Sequence, residues 1–162
     1  MISFRKEYSL TPYLNYEFNK LGINNIKIKG VIMNIKRIHI LGASGSGTTT
    51  LAKELSKKLD YFHFDTDDYF WKHTMTPYQI RNDIEERQQL LQSDLENNDS
   101  WILSGSLCGW GDMFIPYFDL VIYLWIPKDL RISRLIERER QRYGKKIELN
   151  GSMYKTHKEF IN

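Results

Sequence analysis

Two glycines, Gly42 and Gly47, enclose a loop of small residues and are followed by a run of threonines that starts at Thr48. In such loops successive backbone N–H groups point into one concavity, and the N-terminus of the next helix adds partial positive charge. The spacing fits the phosphate-binding pattern G-x-x-x-x-G-K-[S/T], with Thr49 at the hydroxyl that holds Mg²⁺ and Thr48 in place of the lysine. The residues predicted to bind phosphates are Gly42, Ala43, Ser44, Gly45, Ser46, Gly47, Thr48 and Thr49. A glycine-rich turn that binds nothing is the alternative.

Two aspartates, Asp65 and Asp67, follow an apolar run that ends at Phe64. Ligands of open α/β sheets bind beyond the carboxyl ends of the strands, where these carboxylates are expected to stand. There a carboxylate holds Mg²⁺ through water or accepts a proton from a substrate hydroxyl. We predict that Asp67 joins Thr49 at Mg²⁺ and that Asp65 orients the acceptor. A solvated acidic loop is the alternative, and the neighbouring Asp68 is assigned to capping a helix.

Four arginines recur at spacings of three and four residues, which places them along one side of a helix. They are Arg131, Arg134, Arg138 and Arg142. Guanidinium groups suit phosphate oxygens and stabilise charge during phosphoryl transfer. A solvated face that pairs with Glu137 and Glu139 explains the pattern equally well. Because Thr48 leaves the loop without its lysine, we predict that Arg138 and Arg142 bring positive charge from across the site.

Aromatic and histidine side chains lie near these positions. Trp110 follows the third apolar run, and Trp71 and Tyr69 follow the second. Each can stack on a base or sugar, although large aromatic residues more often pack in a core or at its rim. His39 and His63 alternate with apolar residues inside predicted strands and are expected to be hydrogen-bonded. Because there is no cluster of Cys or His residues, no zinc site is predicted.

Apolar runs and helical spacings alternate along the chain and position these residues. We predict strands over 35–41, 61–64, 101–103 and 118–126, and helices over 49–58, 78–97 and 129–143. The strand at 118–126 is nearly all apolar, so burial of both its faces is expected. The alternation predicts an α/β fold with a parallel, doubly wound sheet.

The chain has 162 residues and a mass of 19.3 kDa, which is enough for one compact domain with a core. Residues 33–162 are predicted to form that domain, because the first strong strand begins soon after Met33. Residues 1–32 show no sustained period of either kind and are predicted to be an N-terminal extension of unassigned order. A short helix over residues 8–21, packed on the domain, is the alternative.

Composition bears on partners and compartment. The formal net charge of +3 does not demand a nucleic-acid partner, and none is expected. The longest apolar run, residues 120–126, is too short to cross a bilayer, so no membrane partner is expected. The single cysteine, Cys108, excludes an internal disulfide and fits a reducing interior, so a cytoplasmic protein is predicted. The oligomeric state is left open.

From about Ile35 to Gly144 the chain resembles the adenylate-kinase-like P-loop kinases, a group that includes nucleoside monophosphate, shikimate and gluconate kinases. It looks most like a poorly characterised branch described as adenylate-kinase-related or AAA-family ATPase. The resemblance rests on Ile-His-Ile-Leu-Gly-Ala-Ser-Gly-Ser-Gly at 38–47, on Asp65-Thr66-Asp67, and on residues 118–124 leading to the arginine helix.

The resemblance implies a three-layer, doubly wound parallel sheet of the P-loop NTPase type, with ATP and Mg²⁺ as cofactors and a small-molecule acceptor as partner. It implies that residues 42–49 bind the phosphates of ATP and that Thr49 meets Mg²⁺. Asp65 and Asp67 would serve substrate and metal, while Arg138 and Arg142 would close over the transferring phosphate. The function implied is transfer of the γ-phosphate of Mg·ATP to a nucleotide or small metabolite.

Three features depart from the family pattern. Thr48 replaces the lysine, and Ser104 stands where nucleotide kinases often have an aspartate. The chain also stops at Asn162, before the last strand and the adenine-binding loop expected of such kinases. These departures keep a second function open, namely a nucleotide-binding protein without transfer activity.

Overall fold

The computed structural model describes residues 26–28, 31–74 and 78–161. It begins with an antiparallel hairpin in which β1 (Ile26–Ile28) pairs with β2 (Val31–Met33). This hairpin was not predicted, because strands of three residues are too short to show a periodic pattern. The helix proposed over residues 8–21 lies outside the described residues, and the boundary between residues 32 and 33 stays a prediction.

Four parallel strands form the main sheet. They are β3 (Arg37–Gly42), β4 (Phe62–Asp65), β5 (Trp101–Ser104) and β6 (Leu120–Leu124). Their spatial order is β4, β5, β3, β6, so β3 lies inside the sheet. From β3 the chain runs to β4 and back to β5 on one side, and it then crosses to β6 on the other side. Ligands of doubly wound sheets bind at the carboxyl ends of the strands near such a switch. The predicted α/β fold with a parallel sheet is confirmed.

Helices connect β3 to β4 and β4 to β5, as crossover connections require, and two more helices follow β6. They are α1 (Thr48–Leu59), α2 (Thr66–Phe70), α3 (Ile84–Glu96), α4 (Lys128–Tyr143) and α5 (Tyr154–Ile161). Short 3₁₀ turns occupy Asp112–Tyr117 and Gly144–Ile147. No described helix is long and apolar enough to span a membrane.

Alternating strand residues build two cores, one on each face of the sheet. Ile102 of β5 packs with Leu51 and Leu55 of α1 on one face. Its neighbours Trp101 and Leu103 pack on the other face, in a cluster completed by Leu91 and Leu95 of α3 together with Phe114. Helices thus cover both faces of the sheet. The polar residues follow the carboxyl ends of the parallel strands, and these ends lie at one edge of the sheet.

The expectation that both faces of the fourth strand are buried was wrong. Ile122 and Leu124 are buried, but Val121, Tyr123 and Trp125 are 43%, 41% and 42% exposed. β6 is the last strand of the four-stranded order, and the described helices cover only one of its faces. A purely apolar composition therefore did not report burial here, because covering depends on which elements lie over the strand.

The helix predicted over 78–97 begins later, at Ile84. The preceding segment pairs with the chain after α2, through a bridge between Trp71 and Arg81 and a hydrogen bond from the Asn82 N–H to the Phe70 carbonyl oxygen. Tyr78 also has a φ of 64°, which a helix does not allow. Tertiary pairing overrode the helical spacing at this end.

Candidate active site

The loop between β3 and α1 requires glycine at several positions. Gly45 and Gly47 have φ values of 80° and 95°, in the region that favours glycine. A Cβ on Gly42 would lie 2.5 Å from the Leu124 carbonyl oxygen and 2.6 Å from the Ser46 hydroxyl oxygen. A Cβ on Gly47 would meet no heavy atom within 4 Å, so the loop opens onto free space there.

The start of α1 fits a bound phosphate. Gly47 precedes the helix and provides no side-chain cap, so no side chain satisfies the N–H groups of the first turn at that position. Ser46 is 1% exposed, yet its hydroxyl has no hydrogen-bond partner among the described residues. Buried polar groups are normally paired. An orphaned hydroxyl beside an uncapped helix N-terminus is therefore what a phosphate site is expected to show.

A hydrogen bond joins this loop to the aspartates after β4. The Thr49 hydroxyl donates to Oδ2 of Asp65 over 2.8 Å. Because the proton points to Asp65, the lone pairs of the Thr49 oxygen are left for another partner, as a hydroxyl ligand of Mg²⁺ requires. The structure therefore brings Thr49, in the first turn of α1, together with Asp65, at the end of β4, as the carboxyl-edge argument predicted.

Asp65 is held by further hydrogen bonds. Its Oδ1 accepts the N–H of Asp67 at 3.1 Å, so Asp65 is the N-cap of α2. The assignment of Asp68 to capping was wrong, because Asp68 lies inside the first turn of this short helix. Oδ2 of Asp65 also accepts from the Ser104 hydroxyl at 3.1 Å. With Thr49 included, three donors orient this carboxylate.

His63 extends the network from the neighbouring strand. Its Nε2 lies 3.0 Å from the Ser104 hydroxyl oxygen. A serine hydroxyl carries one proton, so when Ser104 donates to Asp65 it accepts from a protonated Nε2 of His63. Burial lowers the pKa of His63, while the charge of Asp65 acts to raise it. The expectation that His63 is hydrogen-bonded is confirmed, as it is for His39, whose Nδ1 lies 3.1 Å from the Leu103 carbonyl oxygen.

Asp67 stands in a different electrostatic setting. Loss of hydration to the surrounding protein raises its pKa, and the charges of Asp65 and Asp68 raise it further. The guanidinium of Arg138 and a hydrogen bond with Trp71 act in the opposite direction. A carboxylate whose pKa is raised towards the working pH is a better proton acceptor in catalysis than an unperturbed one.

The raised pKa of Asp67 predicts a stability effect. A group of this kind contributes stability below its unfolded-state pKa, near 3.8, and loses that contribution as the pH rises through its folded-state pKa. At neutral pH the ionised carboxylate therefore opposes folding. We expect Asp67→Asn to raise the melting temperature at pH 7, and the difference from wild type to shrink as the pH is lowered.

The exposed Asp99 gives a matched control for this prediction. Asp99→Asn makes the same chemical change away from the other aspartates and is expected to leave the melting temperature nearly unchanged at every pH. Thermal unfolding followed by circular dichroism measures both variants. A melting temperature of Asp67→Asn below that of wild type at pH 7 would contradict the prediction.

Arg138 and Arg142 lie on the solvent side of α4. Arg138 is 3.5 Å from Glu139. Its charge also acts on Asp67, where it opposes the rise in pKa that burial and the neighbouring aspartates cause. Arg142 is 3.9 Å from the same glutamate, and its guanidinium lies 5.7 Å from the ring centre of Tyr78. The structure thus brings Arg138 near the aspartates and sets Arg142 against the segment before α3. Their part in phosphoryl transfer stays a prediction.

Two other cations act on the loop or on the acidic residues beside it. Arg131 donates from Nη1 to the carbonyl oxygen of Ser44 at 3.1 Å. Lys53 is exposed on α1. Burial raises the pKa of Asp68 and lowers the pKa of His63, and the charge of Lys53 acts to lower both. The contact of Arg131 does not follow from spacing along α4 alone, because it joins residues 87 positions apart in the chain.

A cavity of about 260 Å³ lies beside the aspartates, beyond the ends of β4 and β5. Its lining residues are Thr66, Asp67, Phe70, Trp71, Ser106, Cys108 and Trp110. Trp110 is 4% exposed and packs edge-on against Phe114, so its indole is mainly part of the core. Tyr69 is buried and donates its hydroxyl to Asp94. Of the three aromatic candidates, Trp71 is the one that keeps an accessible ring beside the cavity.

Sequence reasoning missed Ser104 and His63 as parts of the site. It named Arg131 as one of four arginines along a helix, but not as the one that contacts the loop. Ser104 was noted only as a departure from an expected aspartate, yet it pairs in register with Asp65 across neighbouring strands. Knowledge of the strand order would have revealed this contact, because paired residues of adjacent strands project to the same face. Arg131 lies in the first turn of α4, directly after β6. This position indicates a contact with the loop only once β6 is known to lie beside β3.

A glycine loop between a central strand and a helix, with a threonine joined to a carboxylate at the next strand end, defines a P-loop protein with a kinase-like α/β fold. Within this class the chain belongs to the AAA domain family, whose family model matches residues 38–156. The expected resemblance to P-loop kinases is confirmed.

The relatives include cytidylate kinases and an uncharacterised protein. The chain is 52% identical over 126 residues to the uncharacterized protein YqaC of Bacillus subtilis, an overlap that covers 78% of this chain and 69% of that protein. It is 33% identical over 113 residues to a cytidylate kinase of Haloarcula marismortui, which covers 63% of this chain. The chain spans 58% of the length of that kinase.

A solved structure of shikimate kinase from Acinetobacter baumannii in complex with shikimate is also similar to the chain. The TM-score is 0.46 and the sequence identity 16%, with 78% of this chain and 74% of that one covered.

Proposed function

We propose that the protein transfers the γ-phosphate of Mg·ATP to a small-molecule acceptor, in the cytoplasm. The observation that carries this proposal is the 2.8 Å hydrogen bond between Thr49 and Asp65. It joins the phosphate-binding loop to the aspartates and so sets a donor site beside an acceptor site. Phosphoryl transfer depends on such positioning, because the protein does little covalent chemistry.

The donor site consists of the loop and the start of α1. Backbone N–H groups of residues 42–49 and the Ser46 hydroxyl bind the phosphates of ATP. Bound Mg²⁺ would neutralise charge on the phosphates, with the Thr49 hydroxyl as its protein ligand. The described residues contain no cluster of three or more His, Cys, Asp or Glu side chains suited to a metal ion. One hydroxyl with phosphates and water fits Mg²⁺ chemistry without such a cluster.

The contacts of the two aspartates favour an exchange of their predicted roles. Asp65 holds Thr49 and Ser104 with one oxygen and caps α2 with the other, so it is committed to shaping the metal side of the site. Asp67 lines the cavity and has a raised pKa. We assign Asp65 to orienting Thr49, and Asp67 to the acceptor hydroxyl.

The transfer step follows from these positions. The acceptor oxygen attacks the γ-phosphorus, the bond from that phosphorus to the β–γ bridging oxygen breaks, and ADP leaves. Where that oxygen belongs to a hydroxyl, Asp67 takes the proton that it loses, whereas a phosphate oxygen of a nucleoside monophosphate attacks in its ionised form and loses none. Arg138, whose charge already reaches Asp67, stabilises the negative charge on the transferring group. Arg142, on α4 beside Tyr78, is assigned to closing over the site.

Charge around the cavity favours an anionic acceptor. Arg87 is 8% exposed and holds its guanidinium 3.9 Å from the ring centre of Phe70, which lines the cavity. Arg81 lies 5.4 Å from the same ring. Neither arginine forms an ion pair within the described part of the chain. Because several relatives are cytidylate kinases, a nucleoside monophosphate is the first acceptor to test.

Product analysis tests the function directly. The protein is incubated with Mg·ATP and, separately, CMP, UMP, AMP, shikimate or gluconate, and ADP and phosphorylated products are measured by chromatography. We expect ADP to form with one class of acceptor and not without it. Binding of ATP without ADP formation with any acceptor would instead support the alternative of a nucleotide-binding protein, which the threonine at position 48 favours.

A further inference from the structure

The phosphate-binding loop carries no cation of its own. Residues 42–49 contain no Lys, Arg or His, and the position that the motif gives to lysine is Thr48. Thr48 is half-buried, and its Cγ2 lies 3.3 Å from where a Cβ on Gly42 would stand, so the side chain folds over the start of the loop. A triphosphate is strongly anionic, and unit charges a few ångströms apart interact strongly near a protein surface. Stable binding therefore favours a cation supplied from outside the loop.

Arg131, in the first turn of α4, is fixed against this loop. Its Nη1 donates to the Ser44 carbonyl oxygen at 3.1 Å, and its Nε donates to the Ile126 carbonyl oxygen at 3.2 Å. The backbones also touch, since a Cβ on Gly45 would lie 2.7 Å from the Arg131 carbonyl oxygen. Loop and helix are therefore in direct contact, and the guanidinium is held at two points.

The charge of Arg131 is not neutralised by the described residues. A guanidinium has five N–H donors, and the two contacts above use one each, which leaves three N–H groups for another acceptor. No carboxylate of the described chain forms an ion pair with it. Three arginines farther along the same helix each pair with a glutamate: Arg138, Arg140 and Arg142. Arg134 also forms no ion pair with the described residues, but Arg131 is the arginine of this helix that donates a hydrogen bond to the loop.

We infer that Arg131 takes the place of the missing loop lysine and supplies its charge to the phosphates of the bound nucleoside triphosphate. This inference rests on the proposed function and adds to it the source of positive charge at the donor site. Arg131 binds the donor phosphates, whereas Arg138 acts at the side of the aspartates. The bound ligand is a polyphosphate in either of the functions considered, so the role of Arg131 does not depend on transfer.

Calorimetric titration with Mg·ATP, ADP and adenosine tests the inference. Arg131→Gln removes the charge but keeps a donor for the Ser44 carbonyl oxygen. We expect it to weaken Mg·ATP binding by about 10-fold to 100-fold, the range of one charge-assisted hydrogen bond, and to leave adenosine binding nearly unchanged. Arg140→Gln, on the exposed side of the same helix, is the matched control and is expected to bind like wild type.

A second substitution separates charge from structure. If Arg131 supplies charge, the double variant Thr48→Lys with Arg131→Gln is expected to recover most of the lost affinity, because the lysine returns to the position of the motif. If Arg131 only holds the loop in shape, a lysine at position 48 cannot replace it. Failure of this rescue in a folded double variant, checked by thermal unfolding, would overturn the inference.

The remaining outcomes are also decisive. If wild type binds Mg·ATP and a folded Arg131→Gln binds it equally well, the inference is wrong while the proposed function stands. If wild type binds no nucleotide, the proposed function itself is wrong. If Arg131→Gln does not fold, Thr48→Lys alone decides: nearly unchanged affinity supports Arg131 as the existing cation, and a gain of about tenfold or more, the size of one charge-assisted hydrogen bond, counts against it.

Discussion

Arg138→Ala is expected to abolish phosphoryl transfer while leaving Mg·ATP binding largely intact. Arginines that stabilise the transferring group contribute about 10³–10⁵ in turnover in related chemistry. The side chain of Arg138 is 43% exposed and pairs with Glu139, whose side chain is 12% exposed. Glu139 keeps Arg142 as a partner at 3.9 Å, so removal of Arg138 leaves no buried charge unpaired and should not unfold the domain. Steady-state turnover with the acceptor that product analysis identifies measures the effect on transfer. Calorimetric titration measures the affinity for Mg·ATP separately.

The pH profile gives an independent readout for Arg138. Its charge lowers the pKa of Asp67, so removing it is expected to raise that pKa. The acidic limb of the residual activity should then move to higher pH, since Asp67 must be deprotonated to accept a proton. Arg140→Ala removes a similarly exposed arginine of α4 and should change neither quantity. Near-normal ATP consumption by Arg138→Ala would contradict the role given to this residue.

Thr49→Ala is the second substitution with a large expected effect. It removes the hydroxyl that links the loop to Asp65 and that is assigned to Mg²⁺. By analogy with the loss of one preorganised polar group in an active site, we expect turnover to fall by about 10²–10³. The dependence of the residual rate on Mg²⁺ concentration should also shift to higher concentrations, because the protein ligand is lost.

The adjacent Thr50 offers a matched control. Thr50 is exposed on the first turn of α1, and Thr50→Ala deletes the same hydroxyl one position away. It is expected to keep wild-type turnover and wild-type Mg²⁺ dependence. If Thr49→Ala consumed ATP at a near-normal rate, the assignment of Thr49 to the metal would be wrong, whatever the fate of the Arg138 prediction.

Much of the fold could be predicted from local patterns. The strands ending near Leu41, Phe64 and Leu103 were placed within a residue or two, because a buried parallel strand is a short apolar run followed by polar residues. The helix at 49–58 was found at 48–59 for a similar reason, since its leucines recur at helical spacing. The late start of α3 was missed, because pairing with residues 70–72 is a contact between segments that no local window contains.

The phosphate-binding loop is where the sequence carried most information about function. Glycine at positions 42, 45 and 47 is required by close contacts or by left-handed backbone, and both requirements are local to the loop and the elements beside it. The order Gly-x-x-x-x-Gly-Thr-Thr therefore predicted a phosphate cradle, and it also showed that the usual lysine is absent. Asp65 and Asp67 were recognisable because they follow a strand directly.

Only the tertiary structure decided which of these groups contact one another. The strand order sets Ser104 beside Asp65, and the packing of α4 on the loop sets Arg131 against Ser44. The first contact joins residues 39 positions apart in the chain, and the second joins residues 87 positions apart. Spacing within one helix placed four arginines on one side but could not say which of them faces the loop. That choice depends on where the helix lies over the sheet, and long-range packing alone fixes it.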